Sequence, residues 1–128
     1  MKRLLLLILL AVTVATPALA ARIAVIAPYR APQFLGSVMA VRGKAEIRRN
    51  EQLQGTDVRL IGANGRIEFI GFIPMENMHE FPNVQALDGR EVVMYGVIEL
   101  YQGRGATQLL TRDQVQAWPI VPRARRAA

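Results

Sequence analysis

Residues 58–73 read VRLIGANGRIEFIGFI, two alternating apolar runs joined by an Asn-Gly dipeptide. Apolar residues at every second position are typical of a strand with one buried face. Asn64-Gly65 between two such runs is the strongest short-range signal of a β-hairpin, in a turn whose two central residues have positive φ. The stretch therefore predicts two antiparallel strands, the second of which ends at Pro74.

A strand is also predicted before this hairpin. From Met39 to Arg48 apolar and charged residues alternate strictly, and Gly43 in the middle predicts a bulge or a tight bend, as at a barrel corner. Residues 49–56 (RNEQLQGT) form a polar loop, and residues 21–35, with two prolines and no sustained period, are predicted to be an extended lead-in.

Residues 74–87 (PMENMHEFPNVQAL) predict a short helix of about two turns, which Pro82 limits. Alternation then returns in residues 91–101, after an Asp-Gly turn, and a last strand is predicted from Ala106 to Trp118. Five strands with a helix between the third and fourth is the order of the OB-fold, a small Greek-key barrel. The predicted class is thus all-β with little helix, and the alternative is an open meander packed on a helix.

The first twenty residues, MKRLLLLILLAVTVATPALA, have the layout of a secretory signal peptide. A basic start at Lys2 and Arg3 precedes an apolar run, and small residues precede a predicted cut after Ala20. The alternative is an uncleaved anchor, but the run is shorter than the ~20 residues that a membrane-spanning helix needs. The chain is therefore predicted to be periplasmic or secreted, with no stable membrane insertion after cleavage.

The remaining domain must be stable without disulfides, because the sequence contains no cysteine. The OB-fold domain is predicted over residues 36–118, and residues 119–128 are predicted to be a basic disordered tail. The formal charge of +6 comes mostly from the two ends of the chain, since residues 22–122 contain 11 Lys and Arg against 10 Asp and Glu. The basic composition alone therefore does not indicate a nucleic-acid partner.

Residues 69–116 resemble a group of small exported bacterial OB-fold proteins related to nucleic-acid-binding OB domains. The positions that carry this resemblance are Gly89-Arg90, Val92, Gly96, Ile98, Tyr101, Gly103 and Gln114-Val115. The chain departs from their pattern at residues 105–107, where Gly-Ala-Thr replaces Pro-Glu-Ile and an acidic residue is missing. The resemblance implies an OB barrel and a binding role for it.

The sequence offers little for catalysis, and we predict a protein that is not an enzyme and needs no metal or cofactor. It contains one histidine, His79, and one serine, Ser37, on predicted elements far apart in the chain. Glu76 and Glu80 flank the histidine, but neither lies four residues from it, and a stable metal site needs at least three converging ligands.

A ligand surface is predicted from the arginines of the barrel. Binders of single strands combine a basic groove with aromatic rings on which bases stack. Phe72 is the ring at an outward position of the hairpin, and Tyr101 lies beside the last loop. The candidate residues for single-stranded nucleic acid or another anionic ligand are Arg48, Arg49, Arg59, Arg66, Phe72, Tyr101 and Arg104. The alternative is an ordinary solvated barrel face.

A protein partner is the second prediction, either a periplasmic protein or a second copy in a homodimer. Ile61, Ile70 and Phe72 would form an exposed apolar patch on the outer face of the hairpin, and such patches mark partner surfaces. The alternative is that residues 23–35 cover the patch. Arginines in one continuous stripe would favour the nucleic-acid function, whereas arginines interrupted by these apolar side chains and Glu68 would favour the protein partner.

Overall fold

The protein is described from a computed structural model over residues 24–119. The strands of this part of the chain are β1 (Val25–Ile26), β2 (Val38–Asn50), β3 (Gly55–Ile61), β4 (Ile67–Pro74), β5 (Glu91–Val97), β6 (Glu99–Tyr101), β7 (Arg104–Gln108) and β8 (Val115–Ala117). They form one sheet with the order β6-β7-β4-β3-β2-β5-β8, and β1 pairs with β2 in parallel. The all-β class predicted from the sequence is confirmed.

The long strand β2 has the alternation that its sequence predicts. Val41, Ala45 and Ile47 are buried, whereas the charged residues between them are exposed or half-buried. The strand pairs with β5 along its first half and with β3 along its second, in continuous register through Gly43. Of the predicted bulge or tight bend at Gly43, the bulge is absent, and β2 changes its pairing partner there from β5 to β3. A Cβ at Gly43 would lie 3.0 Å from Pro28 Cγ, so a side chain there would require its neighbours to shift.

The predicted hairpin is confirmed as the antiparallel pair β3–β4, but its turn differs from the prediction. Only Gly65 of the two central residues has a positive φ, 79°. The Gly65 amide donates to the Gly62 carbonyl, and the Asn64 side chain accepts from the Arg66 amide at 3.0 Å. An asparagine that caps its own turn in this way does not need a left-handed backbone. The register of this pair shifts between Leu60 and Ile61.

The helical segment predicted after β4 consists of two 3-10 helices, Met75–Glu80 and Val84–Leu87. Pro82 lies between them, where the chain makes single-turn hydrogen bonds instead of a continuous helix. Phe81 and Val84 are buried and attach the segment to the core.

The predicted last two strands are interrupted. Glu91–Tyr101 divides into β5 and β6 at Ile98, and the last strand divides into β7 and β8 around a 3-10 helix, Arg112–Gln114. The Gln114 side chain explains the second interruption. Its Oε1 accepts from the backbone amides of residues 110 and 111, and its Nε2 donates to the carbonyls of residues 95 and 108.

Residues 24–35 are more ordered than the predicted extended lead-in. After β1 they form a 3-10 helix, Pro28–Phe34, whose Ala31 is fully buried. Ala31 packs so closely on β7 that a Cβ added at Gly105 would lie 2.6 Å from the Ala31 Cβ. The helix therefore packs on the core face of the sheet. The predicted signal peptide, and the predicted tail beyond Pro119, lie outside the described residues.

The core lies on one face of the sheet, which we call the inner face. Its largest fully buried side chains include Leu60, Phe69, Ile73, Met94 and Leu109. A smaller cluster of Ala40, Val93 and Tyr95, partly covered by Trp118, lies on the other face, the outer face, at β2 and β5. Between residues 24 and 119 the helices are too short and too polar to cross a membrane.

Candidate ligand groove

The outer face of β2, β3, β4, β7 and β6 carries rows of side chains that the strand register places next to one another. One row crosses the five strands in the order Glu46, Arg59, Ile70, Ala106 and Glu99. Neighbouring positions of this kind are close enough for their side chains to contact each other. The surface is therefore mixed in character, with charges around an apolar centre.

A groove of about 290 Å³ lies on this face, between the loop that joins β2 to β3 and the turn that joins β6 to β7. Isoleucines of β4 lie among its lining residues, and side chains from both loops form its walls. Its lining residues are Arg49, Asn50, Glu51, Gln52, Asp57, Arg59, Ile67, Ile70, Tyr101, Gln102 and Arg104.

A smaller apolar hollow of about 100 Å³ adjoins the groove. The two share Asp57, Ile70 and Tyr101, so a ligand in the groove can reach the hollow. Leu53 and Phe72 supply much of the hollow's apolar wall. The arrangement offers a polar compartment beside an apolar one.

Tyr101 and Arg104 form the wall on the β6–β7 side. They are cross-strand partners on either side of a two-residue turn, in which Gln102 and Gly103 have φ of 53° and 78°. Two positive φ values are the mark of a tight hairpin turn, which fixes the spacing of the flanking residues. The Arg104 Nε donates to the Ile67 carbonyl at 3.0 Å, which attaches the guanidinium to β4.

The other two groove arginines already have carboxylate neighbours. Arg59 lies 3.8 Å from both Glu46 and Asp57, and its buried Nε makes no hydrogen bond within residues 24–119. Arg49 pairs with Glu51 at 3.3 Å, but both side chains are largely exposed, and such pairs contribute little. In the described part of the chain Arg104 alone of the three has no carboxylate within 4.0 Å.

Asp57 is the most deeply buried charged side chain of the groove, with 5% of its surface exposed. The Asn50 amide donates to both of its carboxylate oxygens, at 3.1 and 3.3 Å. Asn50 in turn accepts from the Leu53 amide at 2.9 Å. These bonds connect the β2–β3 loop to β3 and place a carboxylate where the groove meets the hollow.

Four of the seven candidate residues line the groove together, namely Arg49, Arg59, Tyr101 and Arg104. Phe72 lies in the adjoining hollow. Arg48 and Arg66 are not among the lining residues of either. Arg48 pairs with Glu46 and with its own strand, and Arg66 is exposed beyond the hairpin turn.

Asp57 and Asn50 are absent from the candidates predicted from the sequence. The alternation of β3 places Asp57 on the outer face, opposite Phe72 on the neighbouring strand. The sequence pattern could therefore have identified Asp57 as an outer-face residue. The bond from Asn50 depends on how the β2–β3 loop folds, and no sequence periodicity predicts that.

The prediction of an exposed apolar patch is wrong for Ile70, its central residue, which is 5% exposed. Ile61 and Phe72, on either side of it, are half-buried. Residues 28–34 do not provide this cover, because they pack on the inner face. The arginines do not form a continuous stripe either, since Ile70 separates Arg59 from β7.

Within residues 24–119 no three His, Asp or Glu side chains converge as metal ligands. His79 is exposed and lies 3.7 Å from Glu80. The Arg112 backbone amide, which donates to the Glu80 carboxylate, holds the pKa of that carboxyl below its usual value, and the Arg112 side chain adds to the effect. Burial raises the pKa of the Tyr95 phenol.

Comparison with known proteins identifies no family for this chain. No family model matches it, and no curated protein matches it. Among solved structures it is similar to one described as OBody AM1L10 bound to hen egg-white lysozyme, with 14% identity. The match covers 70% of this chain and 86% of that chain, with a TM-score of 0.49, which is too low to establish a shared fold.

Proposed function

We propose that this chain is a non-enzymatic, exported binding module of the OB type, and that it binds single-stranded nucleic acid in the groove. The observation that carries the proposal is the pairing of Tyr101 with Arg104 across a tight turn, with Arg49 on the opposite wall. A ring for stacking beside guanidinium groups for phosphate is what binders of single strands use.

The strand connections support an OB-like barrel of five strands. Ile98 alone separates β5 from β6, so the two can be taken as one bent strand. This strand pairs with β2 through β5 and with β7 through β6, and β2 continues through β3 and β4 back to β7. With β5 and β6 taken as one strand, this pairing order and the helical segment before β5 support an OB-like arrangement.

The position of the groove supports the choice of ligand surface. OB-folds bind oligonucleotides on the face of their second and third strands, between the loops that follow the first and the fourth. In this chain those elements are β3, β4, residues 51–54 and residues 102–103. Each of the four contributes lining residues to the groove or the hollow, although Gln54 and Gly103 line neither.

The charges of the groove predict modest affinity. Glu46 and Asp57 partly neutralise Arg59, which leaves Arg49 and Arg104 for phosphate contacts. Two such contacts to a single strand give a slope of log K against log salt concentration of about −1.4. Binding should therefore be detectable at low salt and should fall severalfold, and not by orders of magnitude, at physiological salt.

The test is a fluorescence-anisotropy titration of the chain with labelled oligo-dT and oligo-U of about 12 nucleotides. Arg104→Ala should weaken binding by about tenfold, because it removes a charged hydrogen-bonding group. Arg112→Ala is the matched control, since this arginine is exposed and pairs with Glu80 away from the groove. No binding at about 50 mM salt, or an equal loss in both variants, would contradict the proposal.

Binding of a protein, a periplasmic partner or a second copy of the chain, is the second candidate function. It is favoured by the carboxylates beside Arg49 and Arg59 and by the apolar hollow at Leu53 and Phe72. A surface that carries both charges beside an apolar centre is also compatible with a protein partner. For the homodimer, sedimentation equilibrium should show an association that Leu53→Asp abolishes. A monomer at all concentrations excludes the homodimer.

A further inference from the structure

We propose that the groove prefers guanine among the bases, because the Asp57 carboxylate can accept the two adjacent N–H donors of the guanine Watson–Crick edge. This inference rests on the proposed function and goes beyond it, since it names the base that the site selects. It also gives a role to Asp57, a buried charge that a purely phosphate-binding groove would not need.

The carboxylate has the right place for such a role. Asp57 lies on the outer face of β3 in the row Arg48, Asp57, Phe72 and Gln108. It lines both the groove and the hollow, although only 5% of its side chain is exposed. Asp57 therefore borders the space in which a ligand would lie.

The carboxylate also has hydrogen-bonding capacity left. Its two oxygens offer about four acceptor positions. The Asn50 amide uses one on each oxygen, and the Arg59 Nε at 3.8 Å is too far for a hydrogen bond. A ligand group with N–H donors can fill the remaining positions, whereas a phosphate there would be repelled.

The rest of the groove decides where the other parts of a nucleotide can lie. Arg49 and Arg104 line its walls and can hold a phosphate. Tyr101 and Asp57 both line the groove and the hollow, so a base stacked on the Tyr101 ring would lie in a space that Asp57 also borders. In this arrangement the phosphate lies beside the guanidinium groups of Arg49 and Arg104, and the N–H donors of the base edge lie beside the Asp57 carboxylate.

Among the common bases, guanine alone has two adjacent donors on its pairing edge, N1–H and N2–H₂. Thymine and uracil have one N–H between two carbonyl oxygens, which a carboxylate repels. Adenine and cytosine have an amino group beside a ring nitrogen that is itself an acceptor. A site that is built to accept two hydrogen bonds discriminates strongly against ligands that lack a donor.

The experiment uses oligo-dT of about 12 nucleotides in which one central position is dG, dI, dA or dC, titrated against the whole chain by anisotropy. The dG oligonucleotide should bind about tenfold more tightly than oligo-dT. The dI oligonucleotide should lie between them, because hypoxanthine keeps N1–H and lacks the amino group. Asp57→Asn should abolish the preference for dG, so that the affinities of this variant for the dG oligonucleotide and for oligo-dT become equal.

Glu51→Gln is the matched variant, since it removes another carboxylate of the groove, one that is 83% exposed and pairs with Arg49. It should leave the ratio of the dG affinity to the oligo-dT affinity unchanged. If Asp57→Asn unfolds in a thermal melt, the wild-type comparison of dG with dI still tests the inference. Equal affinity for all the oligonucleotides, or a preference that survives in Asp57→Asn, overturns the inference and leaves the proposed function standing. No binding of any oligonucleotide overturns the proposed function itself.

Discussion

Tyr101 and Arg104 are cross-strand partners on β6 and β7, and the two residues between them, Gln102 and Gly103, both have positive φ. A tight turn of this kind matches the twist of the strands that it joins. The backbone of the turn therefore helps to set the spacing between the Tyr101 ring and the Arg104 guanidinium, in addition to the rotamers of the two side chains. Their preorganisation reduces the entropy lost when a ligand binds.

The turn itself is the first thing to test. At Gly103, with φ of 78°, valine would be strained by about 1–2 kcal/mol, whereas asparagine tolerates the left-handed region. We expect Gly103→Val to lower the free energy of unfolding by that amount in urea and to weaken oligonucleotide binding. Gly103→Asn should change both much less. Equal binding by the valine variant and the wild type would show that the turn does not position the site.

Gly96 and Thr107 form a close contact inside the fold. A Cβ at Gly96 would collide with the Thr107 hydroxyl. We expect Gly96→Ala to cost about 1–3 kcal/mol of stability by overpacking, measured by chemical denaturation. Because the collision is with a side chain, Thr107→Ala should relieve part of it. The double variant should therefore lose less than the sum of the two single losses, and strict additivity would contradict the contact.

Gln114 should be the most sensitive polar position outside the groove. Its side chain bonds four backbone groups, which would lose their partner together. We expect Gln114→Ala to lower the free energy of unfolding by about 2–4 kcal/mol. Gln116→Ala, two residues along on β8, is the control and should change stability by no more than about 0.5 kcal/mol. Similar losses in both variants would argue against the network.

Stability should depend on Glu80 at acidic pH. The pKa of its carboxyl is lowered from 4.5 in the folded chain, chiefly by the Arg112 backbone amide, so the unfolded chain binds the proton more readily. The stability that Glu80 contributes is therefore complete above 4.5 and is lost as the pH falls through the lowered pKa.

Urea midpoints measured between about pH 6 and pH 3 should thus fall less steeply in Glu80→Gln than in the wild type. Arg112→Ala should flatten the curve only in part, because the backbone donor remains. Identical curves for Glu80→Gln and the wild type would contradict the assignment.

Much of the fold is predictable from local patterns. The alternation in β2 and the Asn-Gly dipeptide before β4 correctly predict strands, faces and a hairpin, because one buried face requires period two. The interruption around Gln114 is not predictable in this way, since it arises from one side chain bonding distant carbonyls. The packing of Ala31 on β7 is equally non-local.

The site was predicted less completely than the fold. The charge pattern identifies arginines on the outer face, and four of the candidate residues do line one groove. The pattern does not show which arginines are neutralised, because pairs such as Arg59 with Glu46 depend on strand register. The burial of Ile70 is likewise not revealed by hydrophobicity, since Ile70 lies beside Arg59 in an outer-face row and is nevertheless only 5% exposed.

Binding of nucleic acid in the groove is tested most directly by a map of amide chemical-shift changes in ¹⁵N-labelled chain when oligo-dT with a central dG is added. We expect the largest changes at residues 49–59 and 101–104. Little should change around Trp118, which stacks under Arg42 at the cluster of β2 and β5 and away from the groove. Changes centred on Trp118, with none at Tyr101 and Arg104, would show that the groove is not the binding site.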